Sequence, residues 1–66
     1  MLAEERFSEI LKLVNEHKTI TVQELTELLD MSESTIRRDL TTLHKKGKLI
    51  KVHGGATAVN MAQYTR

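Results

Sequence analysis

The sequence predicts an α+β fold in which three amphipathic helices precede a small antiparallel β hairpin. Apolar residues recur at helical spacing before Gly47, whereas short apolar runs typical of strands follow it. The glycine pair Gly54-Gly55 separates two of these runs, and both glycines are expected to supply the positive φ angles that a tight hairpin turn requires. With 66 residues and no cysteine, the chain can form one small domain that is stabilised by packing alone.

The first predicted helix runs from about Ala3 to Glu16. Its apolar stripe has the spacing i, i+3, i+4 and i+7 and consists of Phe7, Ile10, Leu11 and Val14. The β-branched segment Thr19-Ile20-Thr21 then predicts a brief strand.

A capping box predicts where the second helix begins. The Thr21 hydroxyl can accept from the Glu24 amide while the Glu24 carboxylate accepts from the Thr21 N–H. The expected apolar face consists of Leu25, Leu28 and Leu29. This helix should end near Asp30, because aspartate tolerates the left-handed conformation of a sharp turn.

Ser32 is the expected N-cap of the third helix. Met31 and Ile36 are spaced as a hydrophobic staple around this cap. The two lysines at positions 45–46 complement the helix dipole, and Gly47 occupies the place of a left-handed C-cap.

The predicted strands of the hairpin are Leu49–Val52 and Ala56–Val59, which completes the order α1-β1-α2-α3-β2-β3. Two helices joined by a short turn form a helix-turn-helix, whose second helix binds in the major groove of DNA. We therefore expect one winged helix-turn-helix domain over residues 1–59. Its helix-turn-helix motif would span about 20–39 and its wing about 49–59, with 60–66 beginning a linker.

Charge is divided unequally along the chain. Residues 1–30 contain three basic and seven acidic side chains, a net charge of −4, whereas residues 31–66 contain seven and two, a net charge of +5. This asymmetry indicates an anionic partner for the second half, either nucleic acid or a membrane surface, although a solvated basic face remains an alternative.

A helical wheel of the third helix separates an apolar stripe from a polar face. The stripe consists of Ile36, Leu40 and Leu43. The opposite face consists of Ser34, Arg38, Thr41 and Lys45, flanked by Thr35, Arg37 and Thr42. Glu33 and Asp39 lie beside the apolar stripe, so the polar face presents hydroxyls and cations, the groups that bind phosphates and base edges.

Individual side chains suggest separate roles. The Arg38 guanidinium could bind guanine O6 and N7 in a bidentate manner. Arg37 has two equal interpretations, a phosphate contact or an ion pair with Glu33 one turn earlier. Asp39 would repel phosphate, so it is expected to orient an arginine or lysine within the protein.

The hairpin offers a second contact surface for DNA. Lys51 and His53 can reach a phosphate backbone. The pair Gly54-Gly55 allows close approach of the main chain, and it can equally serve only as a turn.

The chain resembles the DNA-binding domain of the DeoR family of bacterial repressors over residues from about 4 to 57. The resemblance is carried by Thr35-Ile36-Arg37-Arg38-Asp39-Leu40, Leu43, Gly47 and Val52-His53-Gly54-Gly55-Ala56. It is also carried by Glu5-Arg6, Ile10, Val22, Glu24-Leu25 and Ser32. Lys18 departs from the glycine common in the family, and Lys51 replaces a frequent arginine.

Membership of this family implies a winged helix in which the third helix reads an operator in double-stranded DNA and the hairpin is the wing. It also implies a further C-terminal domain that senses a small phosphorylated sugar and makes the intact protein a homo-oligomer. The fragment itself should be mainly monomeric, because one small core uses all its regular elements. A cytoplasmic location is expected from the absence of cysteine and of any apolar run long enough to span a membrane.

Other functions find less support in the sequence. No cysteine or convincing carboxylate pair accompanies His17, His44 or His53, so neither an enzyme nor a metal site is expected, and no cofactor is implied. The glycine pair opens no helix, which argues against dinucleotide binding. Insertion into a membrane would need a bulky apolar stripe in the basic half. A winged-helix module for protein interaction is the main alternative, and it would require an exposed apolar patch.

The capping box leads to a stability prediction. Thr21→Ala should lower the free energy of unfolding by about 0.5–2 kcal/mol, because the Glu24 amide loses its acceptor. Thermal melts of the variant and the parent measure this loss. Coincident melts would mean that the second helix does not begin after Thr21.

Overall fold

The computed structural model describes residues 2–59, and its elements follow the predicted order. They are α1 (Ala3–His17), β1 (Thr19–Thr21), α2 (Val22–Leu29), α3 (Glu33–Lys45), β2 (Leu49–Val52) and β3 (Gly55–Ala58). The three helices and a small antiparallel sheet form a winged helix-turn-helix fold, as the sequence predicts. The expected linker, residues 60–66, lies outside the described residues.

The three strands form one antiparallel sheet in the order β1-β3-β2. The last strand of the described residues, β3, is therefore the central one: Ala56 lies opposite Ile20 of β1 on one side and opposite Lys51 of β2 on the other. The predicted strand Ala56–Val59 begins one residue too late, because Gly55 already pairs with both Thr21 and Val52.

The two hairpin glycines serve different purposes. Gly54 adopts a φ of +77°, as predicted for the turn. The same expectation is wrong for Gly55, which is a buried residue of β3 without a positive φ. A Cβ atom at Gly55 would overlap the Ile20 carbonyl oxygen and lie 2.9 Å from the Thr21 Cα. Gly55 is thus required for close contact between β3 and β1.

The core lies between the helices and the sheet. Its buried residues are Ile10, Val14, Ile20, Val22, Leu25, Ile36, Leu40, Leu43, Leu49, Ala56 and Ala58. The stripes predicted for α1 and α3 face this core, with Phe7 and Leu11 partly buried at its edge. The prediction for α2 is wrong at Leu28, which is 55% exposed, because the eight-residue helix buries only Val22 and Leu25 fully and Leu29 partly.

The predicted helix ends are present. The Glu24 amide donates to the Thr21 hydroxyl at 3.0 Å, and the Thr21 amide donates to the Glu24 carboxylate at 3.0 Å. Asp30 ends α2 with a left-handed φ of +56°. The Ser32 hydroxyl accepts from the Thr35 amide at 3.3 Å at the start of α3. These caps determine the turn between the two helices.

A bidentate ion pair connects α1 to α3. The Arg6 Nε donates to Asp39 Oδ2 at 2.5 Å and its Nη2 donates to Asp39 Oδ1 at 2.9 Å. Asp39 is only 2% exposed, whereas Arg6 remains 19% exposed. The hydrogen bond to Asp39, together with attraction to its charge, raises the pKa of Arg6 above its ordinary value. A buried carboxylate requires such a partner, because burial without one is costly.

Lys18 ends α1 in a conformation that favours glycine. Its φ is +69° and its ψ is −46°. Two main-chain hydrogen bonds hold it there: its amide donates to the Val14 carbonyl at 2.8 Å, and its carbonyl accepts from the Ala58 amide at 2.9 Å. Lys18, one of the two departures from the family that the sequence resembles, is thus a position where a side chain is strained.

Lys18→Gly should therefore stabilise the domain. Relief of the strain outweighs the extra freedom of glycine in the unfolded chain, for a gain of about 1 kcal/mol. Urea unfolding measures this gain. Lys18→Ala is the matched control, because it removes the charge and keeps the Cβ atom. Equal stabilisation by both variants would show that charge, not backbone strain, is responsible.

Asp39→Ala should destabilise the domain by more than Thr21→Ala does, because it removes a buried, bidentate link between two helices. A double-mutant cycle with Arg6→Ala, measured by urea unfolding, isolates the interaction between the two side chains. We expect the double variant to lose less stability than the sum of the single losses. Strictly additive losses would mean that the ion pair does not connect α1 to α3 energetically.

Candidate nucleic-acid interface

The surface of α3 opposite the core carries the residues predicted to contact DNA. Ser34, Arg38 and Lys45 are exposed, and Thr41 is half-buried. The core contacts of Ile36, Leu40 and Leu43 determine this orientation, because these three residues are at most 1% exposed. The structure therefore brings four predicted side chains together on one helix face.

Thr41 and Thr42 of α3 already donate their hydroxyl protons within the protein. The Thr41 hydroxyl donates to the Arg37 carbonyl at 3.0 Å, and the Thr42 hydroxyl donates to the Arg38 carbonyl at 3.1 Å. The Thr35 hydroxyl accepts from the Ser32 hydroxyl at 2.9 Å. Because its proton is used, the Thr41 hydroxyl can only accept a hydrogen bond from an incoming ligand. The amino group of a DNA base is a donor of the kind it could bind.

Arg37 forms the ion pair that the sequence left as one of two possibilities. Its Nη2 lies 2.6 Å from Glu33 Oε2 one turn earlier, and both side chains are more than half exposed. An exposed pair of this kind contributes only about 0–1 kcal/mol, so the pairing does not commit Arg37 to one partner. Arg38 forms no ion pair within residues 2–59.

Asp39 pairs with an arginine inside the protein, as expected, and the partner is Arg6 of α1. The sequence contained no local signal for this partner, because 33 positions separate the two residues and helical spacing relates only near neighbours. The ion pair removes one of the two carboxylates of α3 from its exposed surface.

The hairpin and α3 enclose an open cleft of about 240 Å³. It is lined by Val22, Arg37, Lys51, Val52, His53, Gly54 and Gly55. Lys51, His53 and Gly54 are exposed, whereas Gly55 is buried against β1. The cleft thus joins the flank of the α3 face to the wing and places basic residues from both elements along its walls.

One contact between α3 and the wing was not predicted. The His44 Nδ1 accepts from the Lys51 amide at 3.2 Å, on the edge of β2 that β3 does not cover. This contact positions the wing against the C-terminal half of α3. Lys46 faces elsewhere, with its Nζ 5.8 Å from the centre of the Phe7 ring of α1.

The apolar surface does not favour a protein-interaction module. Three large apolar side chains among the described residues are exposed, Leu2 before α1, Leu28 in α2 and Val52 in β2. They lie on different segments, and the polar face of α3 contains none of them. Within residues 2–59, no helix combines the length and apolar character needed to cross a bilayer.

Known proteins match this chain over nearly its whole length. A family model described as the DeoR-like helix-turn-helix domain matches residues 6–62. The lactose phosphotransferase system repressor of Streptococcus mutans is 50% identical over 64 residues, which are 97% of this chain and 26% of that protein. The protein of the same name from Staphylococcus aureus is 50% identical over 60 residues, which are 91% of this chain and 24% of the relative.

A third relative comes from Bacillus subtilis and is named "uncharacterized HTH-type transcriptional regulator FruR". It is 47% identical over 60 residues, which are 91% of this chain and 24% of that protein. The chain thus spans about a quarter of the length of these curated relatives. No solved structure shows significant similarity to it. The relatives are named as transcriptional regulators and not as enzymes. From the family match, the shared fold and these identities, the chain belongs to the DeoR-like helix-turn-helix domain family.

Proposed function

We propose that this chain is the domain of a bacterial transcriptional repressor that binds an operator in double-stranded DNA. The observation that carries the proposal is the exposed face of α3, which presents hydroxyls and cations. Both carboxylates of this helix have arginine partners, Asp39 with Arg6 and Glu33 with Arg37. A helix with such a face, in a helix-turn-helix, is suited to the major groove.

Position along α3 divides the contacts into two kinds. Base edges are read mainly by the N-terminal part of a recognition helix, where Ser34, Thr35 and Arg38 lie. Arg38 would bind guanine through its planar fork, and Thr41 would accept from a base amino group. Lys45, near the C-terminus of the helix, would bind a phosphate.

The wing would contact the DNA backbone beside the groove. Lys51 and His53 extend from the hairpin, and Gly54 allows the turn to approach a phosphate closely. Gly55 would act indirectly, because its lack of a side chain positions β3 against β1.

The names of the relatives support a role in sugar metabolism. Proteins named as lactose phosphotransferase system repressors share half of their aligned residues with this chain. We infer that the intact protein represses genes of sugar metabolism in the bacterial cytoplasm. A separate domain would bind a phosphorylated sugar, and the protein would act as a homo-oligomer, whereas the isolated domain would be mainly monomeric.

Arg38→Ala and Lys45→Ala test the assignment of α3 as the recognition helix. Arg38→Ala should weaken operator binding by about 1–3 kcal/mol and relax preference at one base pair, whereas Lys45→Ala should weaken binding to all sequences alike. Selection from random duplex DNA first identifies the preferred site. Titrations on that site and on a scrambled duplex then measure both effects.

Neither variant should unfold the domain, because both side chains are exposed, and melting curves provide this control. Equal loss of affinity on both duplexes for Arg38→Ala would assign Arg38 to the backbone. Base reading would then fall to Ser34, Thr35 or Thr41.

A further inference from the structure

The Glu33–Arg37 ion pair lies where the recognition helix borders the cleft. Arg37 contributes to the wall of the cleft together with Lys51 and His53 of the hairpin. Glu33 is 60% exposed and is the carboxylate of α3 that remains at the surface, since Asp39 is 2% exposed and bound to Arg6. The Glu33 carboxylate is therefore ion-paired with Arg37, one of the basic side chains that line this cleft.

The cleft offers a phosphate group basic partners along its walls. Its basic side chains come from two elements, so an anion between them would contact both the helix and the wing. Arginine binds phosphate oxygens through two parallel N–H groups, which makes a backbone phosphate a strong competitor for a solvent-exposed carboxylate. The ion pair with Glu33 is weak enough to exchange, because water surrounds both partners.

We propose that the cleft binds one phosphate of the DNA backbone through Arg37, and that Glu33 competes with this phosphate for the same guanidinium. The inference rests on the proposed function, because it assigns a phosphate site within the same DNA interface. Each binding event requires Arg37 to leave Glu33, and the freed carboxylate then lies close to the polyanion. Glu33 thus lowers the affinity of the domain for duplex DNA.

Glu33→Gln tests the competition while keeping the length of the side chain. The variant should bind a short duplex of scrambled sequence about twofold to fivefold more tightly than the parent at low salt, because Arg37 is free to bind phosphate. Glu9→Gln is the matched control: Glu9 is an exposed residue of α1, and its substitution changes net charge equally. It should produce a smaller gain.

A double-mutant cycle separates competition from simple repulsion. In an Arg37→Ala background, Glu33→Gln should lose most of its effect, because the shared guanidinium is absent. Arg37→Ala alone should reduce the magnitude of the log–log salt slope by about 0.9, the value expected for one phosphate contact. Melting curves establish that each variant is folded before it is titrated.

Three results would overturn the inference while leaving DNA binding intact. The first is an equal gain in DNA affinity for Glu33→Gln and Glu9→Gln. The second is a gain from Glu33→Gln that persists in the Arg37→Ala background. The third is a log–log salt slope that Arg37→Ala leaves unchanged. Failure of the parent domain to bind either the selected or the scrambled duplex would instead overturn the proposed function, and the phosphate site with it.

Discussion

The ion pair between Arg6 and Asp39, together with the apolar core contacts of α3, determines how the recognition helix is presented. Successive residues of an α-helix are rotated by about 100°, so a shift of α3 by one position would separate Asp39 from Arg6 and turn a charged neighbour toward the core. Apolar side chains can repack after a small rotation or shift of the helix. The two parallel hydrogen bonds between Arg6 and Asp39 form in only one relative position of α1 and α3. The orientation of Arg38 toward solvent therefore depends on a residue near the start of the chain.

Arginine partners also explain why the surface of α3 can attract a polyanion even though the helix contains two acids. Asp39 is buried with Arg6, and Glu33 is paired at the surface with Arg37. The two pairs differ in environment: the first is largely shielded from solvent and links two helices, while both side chains of the second are more than half exposed. One helix thus uses the same kind of ion pair for architecture and, in our proposal, for adjustable binding.

Local patterns predicted most of the fold, since capping, periodicity and turn residues act over a few positions. The Thr21–Glu24 box and the left-handed Asp30 follow from such rules. Features that depend on distant segments were missed or misassigned, namely the Arg6 partner of Asp39, the exposure of Leu28 and the contact of Gly55 with β1. For the candidate site, the exposed face of α3 was predictable from the helical wheel. The cleft and the His44 contact with Lys51 required the packing of the hairpin.

The central position of β3 affects how the domain forms during synthesis. β1 is made early, but among the described residues it pairs with β3 alone, which lies more than 30 residues later in the chain. Ala56 and Ala58 of β3 also complete the core, so the helices alone leave apolar surface uncovered. A ribosome must therefore release nearly the whole domain before any of the sheet around β1 is stable, and folding then occurs as one late, cooperative event.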